Sequence, residues 1–518
     1  MLVRDYLLLY INGQRHDVRG ERAFLSLSDY LRFEQGLTGT KIVCSEGDCG
    51  ACSVLLGRVT NGRLDYQVVD ACICFMYQLD GTHVISVEGL APAGQLNSVQ
   101  QAMIDHFGSQ CGFCTPGFVV AMTACQLPCG SEAPASQGNG DRDGDGDGDG
   151  DGGEPAKVGC WQEEDQLRQS LTGNLCRCTG YIQILEAGLA VAQRSGSAFP
   201  DLPLHEQYDE TSIVRDLMPI GDSSVIIRSD GVECARRVFV PSTFAEAVDI
   251  KGTHPDARIV NGATDVGVIY NKGRMNPTDF LSLSGMGDER KLEVDQNTLI
   301  VGAGCTWRQI EEWSRDALPE LHQIIVRFGS PQIRNLSTLM GNIANASPIA
   351  DSLPLLHVME AELEVESSRG ARRVNINDFY LGYKQLDLAP DEIIRRLHMP
   401  LPAENDVLRL YKISKRNDLD ISTFTAAIRL TIEEETIQVA RLAYGGVGPV
   451  VLRLPKTEAH LTGQPLTEDR MRAAGKIARG EITPISDVRG SDNYRFQLAE
   501  NVLLKFYFQT MEEVGAQV

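Results

Sequence analysis

Residues 41–54 read KIVCSEGDCGACSV and bring three cysteines together at the spacing C-x4-C-x2-C. These are Cys44, Cys49 and Cys52, and a fourth, Cys72, follows in the segment VVDACIC. Four thiolates at this spacing are typical of a plant-type [2Fe-2S] centre, where a tight loop wraps two irons and one sulfur arrives from elsewhere. The stretch therefore predicts an iron-sulfur domain near the N-terminus.

The glycines of this stretch fit the same interpretation. Gly47 and Gly50 permit the unusual backbone angles that a loop around a cluster requires. A structural zinc site is the alternative, but such sites favour two similar C-x2-4-C knuckles, and only one is present here. The fourth ligand stays open between Cys72 and Cys74, because spacing does not separate residues two apart on what would be one strand.

A second set of four cysteines follows. Cys111 and Cys114 lie in QCGFCTPG, and Cys176 and Cys178 lie in LTGNLCRCTGY. Each pair is expected near the start of a helix, where free N–H groups and the helix dipole stabilise a thiolate or an anionic cluster. A disulfide within the C-x-C pair would be strained, so a second metal cluster is the better interpretation. The other cysteines are interpreted as buried or incidental thiols: Cys74, Cys125, Cys129, Cys160, Cys234 and Cys305.

Length and charge limit the class of protein. The 518 residues suffice for roughly three to five domains. A formal charge of -22 would repel a phosphate backbone, which disfavours nucleic-acid binding. The N-terminal residues lead into a hairpin turn at Asn12-Gly13 and predict a first strand rather than a signal peptide. Since no window approaches the roughly 18 consecutive apolar residues of a membrane span, we expect a soluble, cytoplasmic protein without membrane contact.

The apolar pattern changes along the first 200 residues. Short β-type runs at Tyr6–Ile11, Ser53–Val59 and His83–Val87, separated by Gly-rich turns, predict a small, mostly β unit. Apolar residues at helical spacing in Ser98–Gln126 and Glu163–Gln193 predict two helical hairpins.

An acidic repeat separates the two helical stretches. Gly138–Gly153 contains DGDGDGDGDGG, which has no side chain able to build a core and predicts a disordered surface insertion over about residues 130–158. One frame satisfies the EF-hand pattern of Ca²⁺ ligands, but alternating Asp and Gly match it easily by chance and no apolar helix flanks it, so a solvated insertion is preferred. That frame consists of Asp143, Asp145, Asp147, Gly148 and Glu154.

Two glycine-containing segments lie in the second half of the chain. Residues 257–272, ARIVNGATDVGVIYNK, predict a strand and a turn whose N–H groups could face a diphosphate. Residues 328–356, FGSPQIRNLSTLMGNIANASPIADSLPLL, are rich in Gly, Asn, Ser and Thr, and neither helix nor strand is a good prediction there; such a loop suits a phosphate or ribose. Ordinary turns are the alternative for both, since neither fits G-x-G-x-x-G or a P-loop.

The order of these motifs resembles that of the xanthine dehydrogenase family. The resemblance rests on QCGFCTPG, LCRCTGY, VNGATDVG and GNIANASPIAD and covers nearly the whole chain. It implies an α+β multidomain fold: a β-grasp plant-type ferredoxin domain, a helical [2Fe-2S] domain, a two-part α+β FAD-binding domain and a C-terminal α+β domain. The implied boundaries are residues 1–92, 93–194, 221–402 and 403–518, with a linker at residues 195–220.

The resemblance also assigns ligands. It favours Cys72 as the fourth ligand of the first cluster and places Phe328 near the isoalloxazine ring of FAD. Two positions outside the glycine-containing loops, Ile394 and Lys412, also match FAD contacts. The loop residues implied to hold FAD are Val260, Gly262, Ala263, Thr264, Asp265, Val266, Thr338, Gly341, Asn342 and Asp351. The sequence departs from the family in the acidic insertion and in LMGN, where relatives more often have a double glycine.

Function follows from the family in the same way. This chain resembles the separate small subunit found in bacteria, which implies a large molybdopterin-binding partner and an α2β2 heterotetramer. Electrons from a purine oxidised at molybdenum would pass through the helical-domain cluster, the plant-type cluster and FAD to NAD⁺. No catalytic acid or base need come from this chain, because the cofactors do the chemistry.

Two alternatives stay open at this point. One is the equivalent subunit of an aldehyde or N-heterocycle hydroxylase, since substrate is chosen on the partner chain; its acceptor could be oxygen or a quinone. The other is a non-enzymatic redox carrier or sensor that binds clusters and flavin without using NAD⁺.

Overall fold

A five-stranded mixed sheet occupies the first 85 residues of the computed structural model, which describes residues 3–91, 94–127, 164–193, 204–230 and 235–516. The strand order is β3-β2-β6-β4-β5, with β2 and β6 parallel, and this is the expected β-grasp arrangement. The elements of this part are β1 (Val3–Arg4), β2 (Leu7–Ile11), β3 (Gln14–Val18), α1 (Leu27–Asp29), β4 (Ser53–Thr60), β5 (Arg63–Asp70) and β6 (Thr82–Ile85).

Local sequence explains the start of this sheet. The apolar side chains of β2 are all buried, and Asn12 and Gly13 both have positive φ, as a tight hairpin turn requires. The predicted hairpin between β2 and β3 is thereby confirmed. Strand β1 is not part of this sheet. It pairs in parallel with a strand more than 200 residues later, and Val3 lies opposite Ser224.

Four helices form the second domain. They are α2 (Ser98–Asp105), α3 (Thr115–Gln126), α4 (Glu164–Ser170) and α5 (Ile182–Gln193). They occupy the two predicted helical stretches, and a shared apolar core joins them to the first sheet. The predicted disordered insertion and its EF-hand pattern fall between α3 and α4, outside the described residues.

The stretch expected to be an irregular linker is helical from residue 204 onward. It forms α6 (Leu204–Gln207) and α7 (Glu210–Leu217). Tyr208 is buried, donates a hydrogen bond from its hydroxyl to the carbonyl of Gly89 at 2.5 Å, and meets the ring of His83 edge-on. Long-range packing against the first sheet therefore orders a segment that has little local helical signal.

Two sheets build the predicted FAD-binding domain, residues 221–402, which is called the flavin part below. The first has the order β1-β7-β8-β10-β9, and the second is antiparallel with the order β11-β12-β17-β13-β14. The elements of the first half are β7 (Ser224–Ser229), β8 (Arg236–Val240), α8 (Phe244–Thr253), β9 (Arg258–Val260), α9 (Val266–Asn271) and β10 (Asp279–Ser282). Those of the second half are β11 (Leu292–Asp295), β12 (Thr298–Gly302), α10 (Trp307–Ala317), α11 (Pro319–Ile325), α12 (Pro331–Arg334), α13 (Leu339–Asn345), α14 (Leu353–Val358), β13 (Glu362–Ser367), β14 (Gly370–Asn375), α15 (Ile376–Phe379), β15 (Tyr380–Gly382), β16 (Gln385–Leu386) and β17 (Ile393–Pro400).

The polar segment 328–356 corrects the sequence interpretation. Instead of lacking regular structure, it contains α12 and α13 and the start of α14. The hydroxyls of Ser330 and Thr338 accept hydrogen bonds from the N–H groups of Ile333 and Gly341. Residues that suggested loop are thus the N-caps of short helices.

The C-terminal domain is an antiparallel sheet with helices on one side. Its strand order is β18-β19-β20-β21. The elements are β18 (Asp406–Ile413), β19 (Phe424–Glu433), β20 (Thr436–Gly445), β21 (Leu452–Arg453), α16 (Pro455–Leu461), α17 (Glu468–Arg479) and α18 (Asp492–Ala516). Among the described helices, none combines the length and apolar character needed to cross a bilayer.

Replacing Tyr208 should release the helical segment from the first sheet. We expect Tyr208→Ala to lower the unfolding free energy by about 3–5 kcal/mol, because a large buried ring is lost. Tyr208→Phe should cost only about 1 kcal/mol, since it removes the hydroxyl alone. Scanning calorimetry measures both, and Tyr383→Ala, at a ring that is 61% exposed, is the control expected to change little. Equal effects of all three would contradict this packing role.

His83 predicts a pH dependence of stability. It is fully buried, its Nε2 accepts from the N–H of Gly13 at 3.1 Å, and burial lowers its pKa to about 4. An unfolded chain would bind a proton near pH 6.5, whereas the folded one would not, so stability should fall as pH drops from about 6.5 to about 4, by about 3 kcal/mol for this group. In His83→Gln, the melting temperature should depend less on pH between about 4 and 6.5 than it does in the wild type. An unchanged pH dependence would refute the assignment to His83.

Candidate functional site

The first group of cysteines converges at one end of the β-grasp sheet. The thiol of Cys44 lies within hydrogen-bond reach of Cys49 and Cys72, and Cys72 also contacts Cys52. Contact with Cys49 and Cys72 lowers the pKa of Cys44, whereas contact with Cys44 raises the pKa of the other two. Three of the four side chains are buried, and Cys44 is half-buried. Four unbonded thiols this close together can each lose a proton and bind a metal cluster as thiolates.

The structure separates the two candidates for the fourth position. Cys72 points toward Cys44 and Cys52, while Cys74 is fully buried in the apolar core, where burial raises its pKa to about 12. The backbone carbonyl of Cys74 accepts from the N–H of Leu27 at 2.7 Å. Cys74 is therefore a core residue, and Cys72 joins the group.

The loop that carries the first three cysteines depends on glycine. Gly47 and Gly50 have φ values of +72° and +63°, in the left-handed region that side chains disfavour. The N–H of Glu46 donates to the sulfur of Cys44 at 3.4 Å. Backbone N–H groups directed at sulfur are the feature by which a protein tunes an iron-sulfur cluster.

The second group lies at the surface of the helical domain. The sulfurs of Cys111 and Cys178 are 3.5 Å apart, and Cys114 contacts Cys176. A disulfide would require about 2.05 Å. Sulfurs that share one tetrahedral metal at about 2.3 Å would stand about 3.8 Å apart, close to the separation here. Cys114 is also the residue before α3, as the sequence predicted.

The two groups of cysteines adjoin each other. The N–H of Leu175, next to Cys176, donates to the carbonyl of Cys49 at 3.0 Å. A Cβ on Gly117, which lies three residues after Cys114, would overlap the carbonyl of Gly50. The loops of the two groups are therefore in direct backbone contact.

The two glycine-containing segments of the flavin part also meet. Gly262 and Ala263, after β9, both have positive φ, and a Cβ on Gly262 would overlap the carbonyl of Leu336. From the other segment, a Cβ on Gly341 would lie 3.2 Å from the carbonyl of Asn261. Two consecutive left-handed residues turn neighbouring N–H groups toward the same region, as an anion-binding turn does. The turn and the start of α13 thus form one cradle.

The remaining cradle positions differ in environment. Val260 is a core residue that precedes the turn, Thr264 is half-buried, and Asp265 and Val266 begin α9. Thr338 caps α13. In LMGN the side chain of Met340 is buried in the apolar core, so this position accommodates a side chain.

A buried ion pair links the cradle to the C-terminal domain. Lys412 donates to Asp351 at 2.6 Å, to the hydroxyl of Ser422 at 2.8 Å and to the carbonyl of Asp420 at 2.9 Å. Ser422 also donates to Asp351 at 2.6 Å. Ser352, the residue after Asp351, donates its hydroxyl to the side-chain oxygen of Asn342. The sequence predicts Asp351 and Lys412 as site residues but not their hydrogen-bond partners Asp420 and Ser422, although the polar run SKRNDLDIS after Lys412 is a signal for them.

Two predicted contacts are apolar. Phe328 is partly buried and meets Trp307 edge-on at 5.1 Å between ring centroids. The backbone N–H of Trp307 donates to the carbonyl of Ser337, and the Trp307 ring therefore lies beside the cradle. Ile394 is buried in β17, the strand on which α13 packs.

Domain models agree with this division. Residues 86–189 match a [2Fe-2S] binding domain, residues 233–402 the FAD binding domain in molybdopterin dehydrogenase, and residues 409–510 the CO dehydrogenase flavoprotein C-terminal domain. These three descriptions coincide with the helical cysteine group, the cradle and the C-terminal sheet. The residues present fit both kinds of cofactor: each cysteine group offers four unbonded thiols, and the cradle offers a turn with two consecutive positive-φ residues, Gly262 and Ala263, packed directly against the second polar segment.

Comparison with known proteins adds whole-chain similarity. Xanthine dehydrogenase 1 of Arabidopsis thaliana is 27% identical over 97% of this chain and 39% of its own length. Aldehyde oxidase 2 of Cavia porcellus is 26% identical over 99% of this chain and 40% of its own length. The chain thus spans about two fifths of these curated relatives. A carbon monoxide dehydrogenase structure from Hydrogenophaga pseudoflava shares the fold over 52% of this chain and 94% of its own, at 24% identity and a TM-score of 0.50.

The two candidate ligands give a direct test of the first group. Cys72→Ser should remove one of two [2Fe-2S] clusters and so halve the iron bound per chain, because one ligand thiolate is lost. Cys74→Ser, a substitution of equal size at a buried thiol, should retain both clusters. Iron analysis and electron paramagnetic resonance (EPR) of the reduced protein distinguish them; loss of the cluster in Cys74→Ser alone would reverse the assignment.

Proposed function

We propose that this chain, which belongs to the FAD and iron-sulfur proteins of the molybdenum hydroxylase family, is the electron-transfer subunit of a xanthine dehydrogenase. It would pass electrons from a molybdenum centre on a partner chain through two [2Fe-2S] clusters to FAD and on to NAD⁺ during oxidation of hypoxanthine and xanthine to urate. The observation that carries the proposal is the direct contact between two four-cysteine groups in a chain that also contains the glycine cradle.

The chain's own residues would supply ligation, position and electrostatics. When bound, the clusters supply one-electron steps and FAD supplies the exchange between one-electron and hydride chemistry. Cys44, Cys49, Cys52 and Cys72 would hold one cluster, with three of these side chains buried and that of Cys44 half-buried. The second would be held by Cys111, Cys114, Cys176 and Cys178. The turn at Gly262 would bind the diphosphate of FAD, with Phe328 at its ring.

Exposure of the second cysteine group supports a partner chain on that side. Cys111 and Cys178 are exposed, and Phe113, Leu175 and Ile182, which neighbour the cysteines in sequence, are each at least 47% exposed. Apolar side chains exposed around a redox site favour burial by another protein. We therefore propose that the molybdopterin-binding large subunit binds here; an α2β2 assembly is what the family resemblance implies.

Contacts of the first cysteine group support its place nearer the flavin. The side-chain amide of Asn271, at the end of α9, donates to the carbonyls of Cys72 at 2.8 Å and Ser45 at 3.1 Å. Lys272 pairs with Glu46 in the same loop at 2.9 Å. Because α9 begins at the cradle, one short helix spans the distance between the two predicted cofactor sites.

The second candidate function is the same subunit of an aldehyde-oxidising enzyme. Aldehyde oxidase 2 of Cavia porcellus is almost as similar to this chain as the xanthine dehydrogenases are. Substrate choice would lie on the large chain, so the electron path described above serves either reaction.

Turnover by the assembled enzyme tests the proposal. The chain is produced with its native large partner and assayed for NADH formation with xanthine and, in parallel, with an aldehyde. We expect rapid NADH formation from xanthine and a much lower rate with the aldehyde. Turnover of the aldehyde alone would support the second candidate, and turnover with oxygen but not NAD⁺ would overturn the proposed acceptor.

The isolated chain gives a separate control. Anaerobic NADH should bleach its flavin and produce the EPR signals of both reduced clusters, because the path from NAD to the clusters lies within this chain. A chain that binds clusters and flavin but is not reduced by NADH would indicate a redox carrier without a dehydrogenase role.

A further inference from the structure

A single buried side chain touches the loops of both cysteine groups. Gln332 lies in α12 of the flavin part and is fully buried. Its side-chain amide donates to the hydroxyl of Ser53 at 3.2 Å and to the side-chain oxygen of Asn174 at 2.9 Å. Ser53 directly follows Cys52, and Asn174 is two residues before Cys176. The amide therefore connects the flavin part to both cysteine loops at once.

The two acceptors meet again at one carbonyl. Ser53 donates to the carbonyl of Gly50 at 2.7 Å, and the amide of Asn174 donates to the same oxygen at 3.2 Å. Gly50 lies between Cys49 and Cys52 in the first cysteine loop. The hydrogen bonds of Gln332 thus close a network that surrounds the contact between the two groups.

The other end of this connection reaches Phe328. Arg334, in the same short helix as Gln332, donates to the carbonyls of Gly329 at 2.8 Å and Phe328 at 3.3 Å. Arg334 is itself buried and paired with Glu311 at 2.7 Å. Because this pair fixes α12 to the backbone at Phe328, displacement of Gln332 would also displace the residue predicted to lie at the flavin ring.

Stability alone does not account for a glutamine at this place. The side-chain oxygen of Gln332 is buried without a hydrogen-bond partner, and it faces Gly173, where a Cβ would overlap it. A buried amide that is only partly satisfied costs free energy, and an apolar side chain of similar size would avoid that cost. What an apolar side chain would lack is the directed pair of bonds to Ser53 and Asn174.

We propose that Gln332 is a positioning residue that fixes the two cluster loops and the flavin loop in one relative arrangement. This inference rests on the proposed function, since it presumes clusters at both cysteine groups and FAD in the cradle. Its role is exerted through Ser53 and Asn174, and Gln332 itself touches no ligand cysteine.

Two substitutions of Gln332 in the full chain test the proposal. Gln332→Met keeps the side-chain volume but removes both N–H donors. Gln332→Glu keeps the side-chain shape but replaces the donating amide with a carboxylate oxygen, which faces the oxygens of Ser53 and Asn174. The magnetic interaction between the two reduced clusters, seen as splitting in their EPR spectra, reports their relative placement. The rate of electron transfer from clusters to flavin after flash reduction reports the connection to the cradle.

We expect both variants to change the EPR splitting and to slow transfer to the flavin severalfold, because the three loops would no longer be held in one relative arrangement. The matched control is Asn335→Leu. Asn335 also joins the flavin part to the first sheet, by donating to the carbonyl of Val68 at 2.7 Å, and this acceptor lies in β5 rather than in either cysteine loop. It should lower stability while leaving the splitting and the rate near those of the wild type.

A substitution of Asn174, the hydrogen-bond partner of Gln332, completes the test. Asn174→Leu should reproduce the effect of Gln332→Met, and the double variant should be no worse than either alone, because both remove the same network. Wild-type splitting and rate in both Gln332 variants, or equal changes in Asn335→Leu, would overturn the proposal. Wild-type protein that lacks the two cluster signals would instead refute the proposed function.

Discussion

The close backbone contact at Gly50 is the constraint on which the arrangement of the domains depends. Its carbonyl faces Gly117 of the helical domain so closely that neither residue could be replaced without displacement, and a Cβ on Gly50 itself would lie 2.5 Å from the carbonyl of Gly173. Three chain segments therefore meet where none carries a side chain. This allows the backbones beside the two cysteine groups to come into direct contact.

Apolar packing makes the same arrangement rigid over a longer range. The core of the first sheet continues into the flavin part, where Phe280 packs against Phe24 and Tyr77 at centroid distances of 6.0 and 5.6 Å. Domains within a chain usually move relative to one another unless their interface is large and apolar. A shared core of this kind means that the distance between the first cysteine group and the cradle is set by folding.

The sequence was informative where chemistry is local. Cysteine spacing predicted both groups, and turn residues such as Asn12 and Gly13 predicted the first hairpin. Spacing did not distinguish Cys72 from Cys74, because that choice depends on how the strand end meets a distant loop. The helices of residues 328–356 and 204–217 were missed for a related reason: their caps and buried faces become favourable only against other parts of the chain. Contacts such as Gln332 to Asn174, 158 residues apart, have no local signature at all.

The pairing of β1 with β7 has a consequence for how the protein is made. Val3 and Arg4 leave the ribosome more than 200 residues ahead of their partner strand, which begins at Ser224. At about 5–20 residues per second, that partner follows roughly 10–40 s later. Over this interval the edge formed by Val3 and Arg4 stays without its partner, even if the neighbouring β-grasp sheet has already formed. Strand β1 is thus synthesised well before the other strands of its sheet, and it can join that sheet only after β7 has been made.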